Sequence, residues 1–154
     1  MNEYTVVRTA SWQLRLPADW ADRTETASEE VYFESADGTK GVYIATWNIP
    51  MGAEHDGKQA AKSFRRAEQA SLRRMQGYSW DLLQDESITL GATTVAISDA
   101  FARGQAYRIA SKVIAHVPLV VRAAFHDYQC DDLAASQRYF ADIIESLRLN
   151  WDGA

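Results

Sequence analysis

The chain has 154 residues, 47% of them hydrophobic, with a formal net charge of −5 and a single cysteine. Those totals fit one globular domain over residues 1–154 with a core of its own. They exclude an intramolecular disulfide and argue against nucleic-acid binding, which calls for a basic face. The opening "MNEYTVVRTASWQLRLP" has no basic start followed by an apolar run, and nothing approaches the ~20 apolar residues of a membrane span. The sequence therefore predicts a cytoplasmic protein with no membrane insertion.

Along the chain, Trp12, Leu14 and Leu16 alternate with polar residues before Pro17, which reads as a short strand. "EVYFES" and "GVYIATWNI" are β-branched and aromatic, and "ADGTK" separates them. Asp37-Gly38 is a hairpin signal, because glycine takes up positive φ at little cost. "PMGAEHDG" reads as a loop that ends on Asp56, an N-cap with Gln59 three residues on. From Lys58 to Gln76, Ala61, Phe64, Leu72 and Met75 recur at helical spacing. Glu68 interrupts that stripe and predicts a partly buried helix, with Gly77 as its stop.

Three or four strand-like runs follow: Tyr78–Gln84, Thr93–Phe101, Gln105–Ala115 and Leu119–Gln129. "ITLGA", "ARGQ" and "HVP" read as the turns between them. "DDLAASQRYFADIIESLRL" is the clearest helix. Leu133, Phe140, Ile144 and Leu147 make its stripe, Gln137 is a gap, Ile143 widens the stripe, and Asp131 or Asp132 caps it. Strands joined by short turns, with two amphipathic helices, predict an α+β fold: one antiparallel sheet packed with two main helices.

"WQLRLPADW" near the start, the hairpin and charged helix, "GYSWDLLQDESITLGATTVAISDAF", "YRIASKVIAHVPLVVRAAFHDY" and the closing "YFADIIESLRL" together resemble the PsbP-like (Mog-type) fold. Among bacterial members the resemblance is to the group holding DcrB lipoproteins and the EagR adaptors of type VI secretion. "LPADW" and "IIESLRL" are its most specific pieces, and the Asp-Gly hairpin with its aromatic strands departs from the EagR pattern. The resemblance implies a sandwich without a shared active site, whose members work by binding other proteins.

Three constellations invite chemistry. His126, Asp127 and Cys130 suggest a small-ligand or metal-dependent site. In a strand, however, His126 and Cys130 lie roughly 13 Å apart, too far to share one ion without a sharp bend. Asp131 and Asp132 oppose thiolate formation at Cys130. The three histidines, His55, His116 and His126, have no motif spacing, so no catalytic residue, metal ligand or cofactor is assigned. On the first helix Lys58, Lys62, Arg65 and Arg66 share one side, either a solvated face or a basic strip.

The third constellation is acidic and aromatic. Glu25, Glu29, Glu30, Glu34 and Asp37 cluster around the first hairpin, with Asp19 and Asp22 in the loop ahead. Strand alternation puts Tyr32 and Glu34 opposite Val31, Phe33 and Ser35, and Tyr43, Ala45 and Trp47 opposite Val42, Ile44 and Thr46. Both hairpin faces are thus apolar: a helix covers each, or one awaits a partner. The expectation is a non-enzymatic protein-binding domain, with Trp47, Tyr43 and Tyr32 as anchors and Glu29, Glu30 and Glu34 as a charged rim. The leading role is an immunity protein that occludes a type VI secretion toxin. The alternative is an EagR-like effector chaperone, and a homodimer is compatible with either.

Overall fold

The computed structural model describes residues 3–49 and 56–150. The loop expected over "PMGAEH", with His55, lies outside the described residues. The hydrogen-bonded elements are β1 (Tyr4–Arg8), β2 (Trp12–Pro17), β3 (Ala21–Asp22), β4 (Val31–Glu34), β5 (Lys40–Asn48), α1 (Gly57–Arg74), β6 (Asp81–Leu90), β7 (Thr93–Ala102), β8 (Tyr107–His116), β9 (Leu119–Asp127), α2 (Leu133–Ser146) and β10 (Arg148–Leu149). The architecture is α+β, as expected, but with two sheets in place of one. A seven-stranded sheet runs β3-β4-β5-β9-β8-β7-β6, and a three-stranded sheet runs β1-β2-β10. Every pairing is antiparallel.

The hairpin signal at Asp37-Gly38 is correct. Gly38 has φ +74°, and β4 pairs with β5 from Val31↔Ile44 to Glu34↔Gly41. The helix caps are correct too. The Asp56 carboxylate accepts from the Gln59 amide at 2.7 Å, and that of Asp132 accepts from the Ala135 amide at 3.1 Å. The strand expected over Tyr78–Gln84 is shifted: it runs Asp81–Leu90. Tyr78 and Trp80 belong to the connection, where they stack on each other and meet Tyr107 edge-on or tilted. The strand itself is the polar "DLLQDESITL", which turns at Gly91 (φ +61°). It is an outermost strand, exposed along nearly all its length, so it lacks the apolar alternation that marks a buried strand.

The two faces of the large sheet are closed differently. On one face Val42, Ile44, Ala110, Ile114, Val121, Ala123 and Phe125 meet Trp12, Leu14 and Leu16 of β2 and Phe140, Ile143 and Leu147 of α2. This is the main core. Burying each of these large side chains contributes about 1.5–3 kcal/mol. The α2 stripe centres on Ser136, Phe140, Ile143 and Leu147, one position over from the expected Ile144. Gln137, the gap in that stripe, reaches Asp99 at 3.4 Å.

Two cations on the same face of β8 hold α2 in place. Arg108 donates to both Asp99 carboxylate oxygens at 2.9 and 3.0 Å, and to the Ser136 hydroxyl at 3.1 Å. Lys112 Nζ donates to the carbonyls of Ile144 and Leu147 at 2.8 and 2.9 Å. Those carbonyls lie at the C-terminal end of α2, where helical bonding leaves acceptors free and a cation is favoured. Arg108 is 5% exposed and Asp99 5%, so neither charge can fall back on water.

This pairing sets a stability expectation. Arg108→Met should lower unfolding free energy by about 3–5 kcal/mol, because Asp99 stays buried without its partner. The double variant Arg108→Met with Asp99→Leu should recover most of that loss. Urea unfolding monitored by tryptophan fluorescence checks both, and equal instability of the single and double variants would refute the role given to the pair.

Candidate functional site

The other face of the large sheet is only partly closed, by α1. Strand registers arrange its side chains in rows across the sheet. One row runs Ser87, Ala96, Val113, Arg122, Ala45; the next Asp85, Ser98, Ser111, Ala124, Tyr43; the third Leu82, Ala100, Ile109, His126, Gly41. Ala60 and Ala61 of α1 pack on Ala96, Val113, Ala115 and Val120, so that end sits close to the sheet. Phe64 extends sideways to Trp47, ring centroids 4.5 Å apart.

Glu68, the break in the α1 stripe, faces the sheet. It accepts from Arg122 Nε at 2.5 Å and from the Ser98 hydroxyl at 3.2 Å. Arg65 pairs with Asp85 on β6. Arg65 thus leaves the expected basic strip of Lys58, Lys62, Arg65 and Arg66, pointing to the sheet while Lys58, Lys62 and Arg66 stay exposed.

Beside α1, on the same face, lies an aromatic cluster. Tyr32 stacks on Tyr43 (4.3 Å, 26°), Tyr43 meets His126 edge-on (5.4 Å), and His126 stacks on Tyr128 (5.6 Å, 22°). The Tyr107 hydroxyl and His126 Nδ1 share a 2.5 Å hydrogen bond, and the Tyr32 and Tyr128 hydroxyls lie 3.0 Å apart. Tyr32 also donates to Glu34 at 2.8 Å. A Cβ at Gly41 would overlap the Tyr32 ring, so the absence of a side chain there lets the ring lie flat on the strand. Burial pushes the Tyr32 phenol up to about 12, and raises Tyr107 and Tyr128 as well. Burial, aided by the charge of Arg122, drives His126 down to about 4. The cluster is therefore uncharged at neutral pH.

Of the six expected binding residues, the structure makes two groups. Glu29, Glu30 and Trp47 line one shallow groove of about 280 Å³, with Ser28, Ala45 and Thr46. Tyr32, Glu34 and Tyr43 form the second group, and there Tyr32 and Glu34 are engaged with each other. Tyr43 (37%) and Trp47 (38%) keep substantial exposure. The two faces of the hairpin thus differ as the sequence left open: Val42 and Ile44 are sealed in the core, while Tyr43 and Trp47 face outward.

His126, Asp127 and Cys130 are not brought together. His126 belongs to the aromatic cluster. Asp127 is 3% exposed on the opposite face, its carboxylate accepting from the Gln129 amide at 3.2 Å. Cys130 is 2% exposed and its thiol is pushed up by burial. Its amide donates to the Ala106 carbonyl at 2.7 Å. Among the described residues no three His, Cys, Asp or Glu side chains cluster so as to hold a metal ion. Sequence reasoning missed Arg108 and Lys112, although two cations at i and i+4 in an otherwise apolar strand signal a carboxylate or a helix end opposite.

No protein-family model matches this sequence, and no curated protein matches it. Its fold has solved counterparts. The solution structure of cyanobacterial PsbP (CyanoP) from Synechocystis superposes with a TM-score of 0.68 at 10% identity, over 97% of this chain and 94% of that one. LpqN of Mycobacterium tuberculosis, described as involved in cell envelope biogenesis, gives 0.52 at 14% identity over 97% and 91%. A Bacteroides thetaiotaomicron protein gives 0.55 at 14% identity over 93% of this chain, which spans 46% of that protein. The fold is PsbP-like, as the sequence resemblance implies. No helix among the described residues is long and apolar enough to cross a membrane.

The buried neutral histidine predicts a pH dependence. An unfolded His titrates near 6.5, so between about pH 6.5 and 4 the unfolded chain binds more protons than the folded one. Stability from this residue is full above 6.5 and is lost as pH falls toward 4, on the order of 3 kcal/mol in all. Urea midpoints at pH 7, 6 and 5 should fall for the native chain and flatten for His126→Phe. Parallel slopes would contradict the assignment.

Proposed function

We propose that this domain is a non-enzymatic protein-binding module whose contact surface is the β4–β5 edge. The observation that carries this reading is the juxtaposition of exposed Trp47 with Glu29 and Glu30 in one groove, beside exposed Tyr43. A flat, rigid aromatic flanked by carboxylates is the usual composition of an interface anchor and its charged rim. Tyr32 acts here as the support under Tyr43, and Glu34 as the acceptor for Tyr32, so the free rim is Glu29 and Glu30. Their charge suits a basic partner and speeds its approach.

The role we favour is that of a cytoplasmic immunity protein that covers a basic surface of a type VI secretion toxin and blocks it sterically. The PsbP-like fold is in keeping with a protein-binding role. A second reading, an EagR-like effector chaperone, draws on β6, where Leu82, Leu83, Ile88 and Leu90 are 50%, 43%, 64% and 77% exposed. That strand could shelter an apolar segment of an effector.

The product of the neighbouring gene is the partner to try. Glu29→Lys with Glu30→Lys should slow association with a basic toxin about tenfold at low salt, with little change in off-rate. Trp47→Ala should weaken the complex by about 2 kcal/mol or more, mostly through off-rate. Surface plasmon resonance at two salt concentrations reads both. Unchanged kinetics in both variants would remove the β4–β5 edge as the interface. Loss of binding on Ile88→Asp and Leu90→Asp instead would favour the chaperone reading.

A further inference from the structure

We propose that the cleft beneath the C-terminal half of α1 is a binding site for a small neutral molecule: a single aromatic ring bearing one hydrogen-bonding group. The site is distinct from the β4–β5 edge and does not depend on the protein partner.

The cleft arises from a mismatch of side-chain size. At its N-terminal half α1 meets the sheet through Ala60 and Ala61, and the two surfaces touch. Further along, Leu72 and Met75 stand over a floor of Ser98, Ala100, Ser111 and Ala124. Ser98, Ser111 and Ala124 are aligned in one row across β7, β8 and β9. Small residues side by side on three strands leave a cavity of about 180 Å³, walled by Leu82, Ile109 and His126.

Its size and lining narrow the occupant. Drug-sized pockets run to roughly 300–1,000 Å³, so a fused-ring cofactor does not fit. An apolar cavity of about 150 Å³ is known to accept benzene, and Met75 can adapt to such a ring. The charges are spent: Glu68 is bound by Arg122 and Asp85 by Arg65, and the imidazole of His126 is neutral. A charged ligand would lose its hydration and find no unpaired counter-charge. Among the deeply buried hydroxyls of the floor, one stays available to orient a ligand. Ser111 is 4% exposed and lines the cleft, and its hydroxyl takes part in none of the side-chain hydrogen bonds of the described residues.

Phenol is the direct probe, with benzoate and benzylammonium as charged controls, each titrated into the ¹⁵N-labelled full chain. Phenol should give saturable amide shifts centred on Ser98, Ser111, Ala124 and His126, and a rise in melting temperature. The charged analogues should bind at least about tenfold more weakly. Ser111→Leu, which fills the floor, should weaken phenol by a similar factor, and Ala124→Val offers a milder filling should Ser111→Leu fail to fold. Absence of saturable shifts in the native chain, shifts centred elsewhere, or equal affinity for the charged analogues would overturn the proposal. Native-chain shift mapping is decisive even if neither variant folds, and failure here leaves the β4–β5 interface standing.

Discussion

Two cations on one strand govern how this sheet is used. Arg108 and Lys112 project from β8 into the main core. Arg108 is met there by Asp99 of β7 and Ser136 of α2, and Lys112 by free carbonyls at the end of α2. Burying two cations costs several kcal/mol each unless every donor is met. The same geometry that satisfies them lays Phe140, Ile143 and Leu147 on Phe125 and the β2 side chains. Charge satisfaction and apolar burial therefore demand one position of α2, and that face of the sheet is spoken for.

What remains for binding is the other face, and its character follows from weaker coverage. α1 meets the sheet through alanines at one end and ion pairs further along, with no continuous apolar stripe. Glu68 is the residue that sets this. In place of another apolar contact it takes Arg122 and Ser98 and leaves the space around them unfilled. Beyond the helix, Gly41 removes a side chain so that Tyr32 can lie flat and prop Tyr43 outward. A cleft, an aromatic platform and an acidic groove thus sit side by side on a face whose polar groups are mostly paired.

The sequence made much of this legible where the signal is local. Asp37-Gly38, Asp56 and Asp132 act through atoms a few residues away, and each does what its chemistry predicts. The amphipathic pattern of α2 is legible because one face is fully buried. Boundaries failed where tertiary position overrides local pattern. β6 is a largely exposed edge strand whose second half reads as a turn, while Tyr78 and Trp80 look like strand yet cover Tyr107. Pairing across the sheet was also invisible: nothing local tells that Glu68 meets Arg122, or that His126 and Cys130, close in sequence, end in different surroundings. The expected surface emerged divided, because Glu34 turns to Tyr32 and leaves Glu29 and Glu30 as the outward charges.

The two faces of the sheet are asymmetric: one is locked by α2, and the other is only partly covered by α1. Native-state amide hydrogen exchange measures this asymmetry residue by residue. Strands β8 and β9 and helix α2 should exchange only through global unfolding, while α1 from Gln69 to Arg74 should open at clearly lower free energy. Exchange of α1 as slow as that of β8, or α2 opening before α1, would contradict it.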